Sequence, residues 1–216
     1  MIPRVQICCM SSSWELATAV AHGASAVGLV SAMPSGPGVI DEPLIAQLAR
    51  ETPPGVASFL LTSLQSASAI VDQHQRTRTS TLQICDAVPI ADYASLRAGM
   101  PGAKLVQVIH VEGEAALDEA LQVAPHVDAI LLDSGRPNQP TKELGGTGRV
   151  HDWRVSQKIR DQVGVPIYLA GGLHPNNVRR AIDEVGPFGL DLCSSVRTEG
   201  VLDPRKLETF FRAVRA

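Results

Sequence analysis

Eight apolar runs, each followed by a stretch with helical or loop character, leave this chain few folds to choose from. The runs are Val5–Cys9, Ala26–Ser31, Ala57–Thr62, Thr81–Cys85, Leu105–Val111, Ala129–Asp133, Ile167–Ala170 and Leu190–Cys193. Between them, segments such as Trp14–His22, Pro43–Arg50, Ala67–Gln73, Ala115–Val123 and Pro175–Val185 place apolar residues at helical spacing. Asp203-Pro204 announces a last helix, with a capping residue followed by proline at the first helical position. Most runs are apolar throughout instead of alternating, as expected of parallel strands covered on both faces. Eight such units in 216 residues, with no linker-like stretch, predict an α/β fold: one (β/α)8 TIM barrel, a single domain over residues 1–216. An open, doubly wound sheet is the alternative arrangement.

Composition narrows the function. A net charge of −3 and 4% aromatic residues argue against a nucleic-acid-binding surface. No apolar run approaches membrane-span length, and the opening MIPRVQICCM lacks a signal-peptide pattern. The four cysteines, Cys8, Cys9, Cys85 and Cys193, show neither CxxC spacing nor nearby paired histidines. They read as free thiols of a cytoplasmic protein with no metal centre. A monomer or small homo-oligomer is the expected assembly.

In a barrel of this kind the chemistry sits at the C-terminal ends of the strands. Two of those ends carry an anion-binding pattern. Gly171-Gly172 follows one apolar run and Ser194-Ser195 the next, and such turns bring backbone N–H groups close to a phosphate. A third contributor is Gly148, at the end of the glycine-rich stretch Gly145–Gly148 in a long loop. Cys8 and Asp133 are the candidate catalytic pair, because a thiolate can take a proton and a carboxylic acid can give one. Each also has a plainer reading: free cysteine is usually a small buried hydrophobe, and Asp133 could cap the loop that follows it. By strand alternation Cys9 should face away from Cys8, in a packing role. Cys85 and Cys193 read as core. Gln83 could line the site or form an inward polar layer. His110 could be an acid or base at a strand end, or a hydrogen-bonded core residue. Asp152 and Trp153 look like the cap and first packed residue of a helix, and Arg76–Ser80 like a solvated loop.

Several segments resemble the phosphoribosylanthranilate isomerase family. They are QICC (Gln6–Cys9), LQICD (Leu82–Asp86), LLDS (Leu131–Ser134), GGTG (Gly145–Gly148) followed by HDW (His151–Trp153), LAGGLHPNNV (Leu169–Val178), GLDLCSSVR (Gly189–Arg197) and GVLD (Gly200–Asp203). The resemblance runs nearly from end to end. It implies an Amadori rearrangement of an aminoaldose phosphate to an aminoketose phosphate, in tryptophan biosynthesis, without metal or cofactor. It also implies Asp133 as the acid that opens the sugar ring and Cys8 as the base at C2′. Gly148, Gly171, Gly172, Ser194 and Ser195 would then hold the substrate phosphate.

The sequence also departs from the family pattern. An arginine that pairs with the substrate carboxylate is expected after the second strand, yet that stretch reads Ser35-Gly36-Pro37-Gly38-Val39. A histidine–glycine pair becomes Cys85-Asp86, and a glutamate becomes Arg197. Asp86 and Arg197 join Gln83 as candidate substrate contacts, with Arg197, Arg136 or Arg149 as possible substitutes for the missing arginine. Three readings follow: an isomerase of the family's own substrate, an isomerase of another aminated ribose phosphate, or a phosphosugar-binding barrel without turnover.

Overall fold

The structure is a computed structural model that describes residues 2–216. Its strands are β1 (Arg4–Ile7), β2 (Ala26–Val30), β3 (Ala57–Thr62), β4 (Thr81–Ile84), β5 (Lys104–His110), β6 (Ala129–Asp133), β7 (Ile167–Leu169) and β8 (Gly189–Leu192). They pair in parallel and in sequence order, and β8 returns to pair with β1, closing the barrel. The open sheet is thereby excluded. Around it lie α1 (Ser13–His22), α2 (Glu42–Glu51), α3 (Ala67–Thr77), α4 (Tyr93–Gly99), α5 (Ala115–Val123), α6 (Trp153–Gln162), α7 (Val178–Val185) and α8 (Pro204–Arg215). A short hairpin, β9 (Arg197–Thr198) with β10 (Val201–Leu202), lies between β8 and α8. Among the described residues, no helix is long and apolar enough to cross a membrane.

Side-chain alternation sorts each strand into two cores. One set, including Ile7, Leu29, Leu60, Leu82, Ile130 and Leu190, packs under the helices. The other, including Val30, Phe59, Leu61, Val106, Val108, Leu131 and Tyr168, fills the barrel. Both sets are apolar, which is why the strands read as continuous runs. Tyr168 meets Phe59 edge to face, with ring centroids 5.9 Å apart. Nearby, Gly189 makes room, since a Cβ there would lie 2.4 Å from the Tyr168 ring. Above this plug, the Gln6 amide donates across the interior to Gln83 Oε1 at 2.9 Å, linking β1 to β4.

Helix starts follow the expected chemistry. Asp152 accepts from the Arg154 N–H, Trp153 is buried, and Asp203 caps α8. Three boundaries differ from expectation. The first strand stops at Ile7, so Cys8 and Cys9 lie beyond the ladder. The seventh helix begins at Val178 instead of Pro175, because the preceding turn is closed by the His174 N–H donating to Asn177 Oδ1 at 2.8 Å. Arg76 and Thr77 end α3 and are not loop residues, and Thr77 and Thr79 are buried.

Candidate active site

One cavity, about 180 Å³ in volume, opens at the C-terminal ends of the strands. Cys8 and Asp133 both line it. Cys8 fits because Gly28 on the neighbouring strand has no side chain: a Cβ there would stand 2.5 Å from the Cys8 sulfur. Asp133 ends β6 facing inward, and Gly145 folds over it, with its would-be Cβ 3.1 Å from Asp133 Oδ2. Burial pushes the Asp133 carboxyl above its ordinary range, against the Ser134 N–H, His110 and Arg149, which pull it down. A carboxyl pushed up in this way keeps its proton to higher pH than an ordinary aspartate, which suits a donor. For Cys8, a hydrogen bond from Cys9 pulls the thiol down, but burial and the nearby Asp191 and Cys193 push it up, with a net rise.

The phosphate candidates come together on one side. Gly148, Gly171, Gly172, Ser194 and Ser195 all line the cavity. The three glycines sit at φ +69°, +84° and +60°, where a side chain is strained. Gly172 also lies against the Gly148–Arg149 backbone, with 2.8 Å between its would-be Cβ and Gly148 O. Among the described residues, the N–H groups of Gly148, Gly171 and Gly172 donate to no backbone carbonyl outside the ladders. The Ser195 hydroxyl is buried without a partner. Unpaired donors of this kind suit an anion.

A model of the N-(5′-phosphoribosyl)anthranilate (PRA) isomerase family matches residues 5–213. The chain belongs to this family. It is 31% identical to the N-(5′-phosphoribosyl)anthranilate isomerase of Methanosarcina acetivorans, over 98% of this chain and 93% of that protein. With the Halobacterium salinarum enzyme it shares 35% identity over 89% of this chain and 86% of that protein. Among solved structures, the phosphoribosyl anthranilate isomerase of Thermotoga maritima superposes with a TM-score of 0.84 at 27% identity, covering 99% of this chain and 98% of that one. Another structure of the family, in complex with reduced 1-(o-carboxyphenylamino)-1-deoxyribulose 5-phosphate, gives 0.81 at 25% identity, over 99% and 98% of the two chains.

Against that family background, the three expected substrate contacts part company. Gln83 lines the cavity, held by Gln6. Asp86 does not: buried beside the cavity, it accepts from the Ala87 N–H and pairs with Lys142 at 2.6 Å. Arg197 is also elsewhere, because the chain reverses through the β9–β10 hairpin and aims its guanidinium back under β1. There it is 8% exposed, pairs with Glu15 at 2.8 Å and donates to the carbonyls of Cys8 and Cys9 at 3.1 and 2.5 Å. Burial pushes the Glu15 carboxyl up, but Arg197 and the N–H groups of Leu202 and Ser11 outweigh it and hold it below its usual value. Arg149 is paired with Glu143. Among the described residues, no lysine or arginine lines the cavity.

Three inward residues escaped the sequence reading. Asp191, on β8 opposite Gln6, lines the cavity with its Oδ1 sealed from solvent and unpartnered. Burial first, and then Asp133 and Cys193, push its carboxyl well up. The signal was an acid in the middle of a four-residue strand, GLDL, where covered parallel strands are otherwise apolar. Cys9 is the second. It was expected to face away from Cys8, yet it lines the same cavity. Strict alternation ends with β1 at Ile7, and Cys9 takes a left-handed backbone at φ +65°. Cys193 lines the cavity as well, contrary to its reading as core. His110 bonds the Cys85 carbonyl at 3.0 Å and lies outside the cavity.

Proposed function

We propose that the protein is a phosphoribosylanthranilate isomerase that carries out an Amadori rearrangement on an aminated ribose 5-phosphate, with Asp133 as acid and Cys8 as base. The observation that carries this reading is the placement of both groups in one cavity, next to unpaired backbone donors. With the phosphate held by Gly148, Gly171, Gly172 and the serine turn, the sugar is fixed between the two strand ends. Asp133 gives its proton to the furanose ring oxygen and the ring opens to a protonated imine. Cys8 then removes the C2′ proton, and the enolamine relaxes to the aminoketose. The imine cation favours the thiolate over the thiol, offsetting the upward push on Cys8. Two acids and, among the described residues, no lysine or arginine around the cavity suit that cation.

The amine half of the substrate meets Met33, Pro37 and Leu144, an apolar wall. This wall favours an aromatic ring, with any carboxylate directed to the open mouth. It also keeps a second reading alive, in which the amine carries no carboxylate. The four cysteines are free, as a reducing compartment keeps them, and the proposal places the enzyme in the cytoplasm.

The deciding experiment is turnover of freshly generated phosphoribosylanthranilate, followed by loss of substrate fluorescence, with Cys8→Ala as control. Turnover that disappears in the variant is the expected result. Absent turnover with a sugar-phosphate analogue still bound overturns the named substrate and directs the assay to phosphoribosylaniline, which lacks the carboxylate. Failure to bind any sugar phosphate overturns the isomerase reading itself.

A further inference from the structure

Two thiols meet in the cavity wall where the barrel closes. β1 and β8 leave the barrel side by side, with Ile7 opposite Leu192, so the residues just beyond them are neighbours. Cys9 and Cys193 place their sulfurs 2.6 Å apart, about half an ångström beyond a covalent S–S bond of ~2.05 Å. Cys9 holds this position from a left-handed backbone at φ +65°, which a residue with a Cβ rarely adopts. Gly38 packs against it, with its would-be Cβ 2.8 Å from the Cys9 sulfur, and Arg197 grips the Cys9 carbonyl. The side chain is therefore held toward Cys193 from both sides. Both residues line the cavity, so a small solute that enters it can reach them.

We infer that Cys9 and Cys193 form a reversible dithiol–disulfide pair in the cavity wall, a modification site that responds to a hydroperoxide. The two thiols are unequal partners. The contact with Cys9 pulls the Cys193 thiol down, assisted by the Arg197 guanidinium and opposed by burial. Cys9 is pushed up by its contacts with Cys193 and Cys8 and by burial. Cys193 is also the less buried of the two, open to a solute where Cys9 is enclosed, which makes it the nucleophile and Cys9 the resolving thiol. The Cys193 thiolate attacks one peroxide oxygen and the O–O bond breaks, giving a sulfenic acid and a hydroxide that takes up the proton Cys193 released. The Cys9 sulfur then attacks the Cys193 sulfur. The S–O bond breaks, and the hydroxyl leaves as water with the Cys9 proton. Two thiols are oxidised and one peroxide is reduced to two waters.

The bond would tie the residue after Cys8 to the residue before Ser194, joining the base to the phosphate turn. The loss of turnover expected from this rests on the isomerase reading; formation of the bond does not. The test treats the full chain with a small excess of hydrogen peroxide, alkylates the remaining thiols and maps the peptides by mass. The expected product has lost two hydrogens and carries one link, Cys9 to Cys193, with Cys8 and Cys85 alkylated and all four thiols restored by dithiothreitol. A link that involves Cys8, over-oxidation of Cys193 without a link, or four intact thiols overturns the inference, whether or not the protein turns substrate over. The second arm is Cys9→Gly, which suits the left-handed backbone. Its turnover is expected to resist peroxide at least tenfold longer than that of the parent. Equal inactivation rates overturn the gating role.

Discussion

The proposed phosphate side of the cavity is made of backbone, and the proposed amine side is made of side chains. Gly148, Gly171 and Gly172 present N–H groups held by positive-φ turns, with hydroxyls of the serine turn beside them. Across the cavity, Met33, Pro37 and Leu144 form an apolar wall on two loops, and among the described residues no lysine or arginine lines it. A backbone cup depends on where the chain can bend and survives many changes of side chain. An apolar wall changes with every substitution. On this reading, phosphate anchoring rests on chain geometry and amine recognition on the identity of a few side chains.

The strongest way to break that contrast lies between the two sides. Asp133→Asn removes the proposed acid and leaves both walls in place. We expect kcat to fall by roughly 10²–10⁴, with affinity for a sugar-phosphate analogue within about twofold. Titration calorimetry beside steady-state kinetics would check this, and a parallel loss of binding would make Asp133 a structural part of the cup.

A pH experiment probes the frame of the phosphate side. His151 follows the loop that carries Gly148, and burial lowers its pKa to about 4, with Asp152 opposing. Folded His151 thus stays neutral while the unfolded chain takes up a proton below about pH 6.5. Stability is full above that value and is lost as pH falls from about 6.5 to about 4, by about 3 kcal/mol in all. Urea unfolding across this window should show the slope, and His151→Gln should flatten it.

Gly172→Val presses a side chain into the Gly148–Arg149 backbone. Losing one or two charge-assisted bonds predicts roughly 10- to 100-fold weaker phosphate-ligand binding, with the fluorescence of a bound aromatic amine unaffected. The smallest effect should come from the variable wall. Pro37→Arg supplies a guanidinium at the mouth, although Gly146 presses on that position. We expect about a tenfold lower KM for the carboxylate-bearing substrate and none for its aniline counterpart. An equal gain for both would show that the new residue acts on the phosphate.

The same contrast explains what could be read in the sequence. All eight strands were legible because both of their faces are buried, and the cup was legible because Gly171-Gly172 and Ser194-Ser195 mark turns directly. Asp133 stood out by closing an apolar run. Arg197 misled because its direction depends on the hairpin after β8, which brings it to Glu15 and to carbonyls more than 180 residues away in sequence. Asp86 misled for a related reason: its partner Lys142 lies in a loop 56 residues downstream, whose path no local pattern gives. Asp191 was hidden inside a motif that was read as a block, although an acid in mid-strand was the signal.

The grip of Arg197 on the first strand has a consequence in time. Glu15 and the Cys8 and Cys9 carbonyls meet a guanidinium that lies 182 residues after Glu15. At ~5–20 residues per second, synthesis needs roughly ten to forty seconds to span that gap. Until then the nascent chain has an open edge at β1, because β8 has not arrived to cover it. Cys8, the proposed base, is among the first residues made, and its carbonyl is among the last to be gripped, so a partly made chain leaves it without that support.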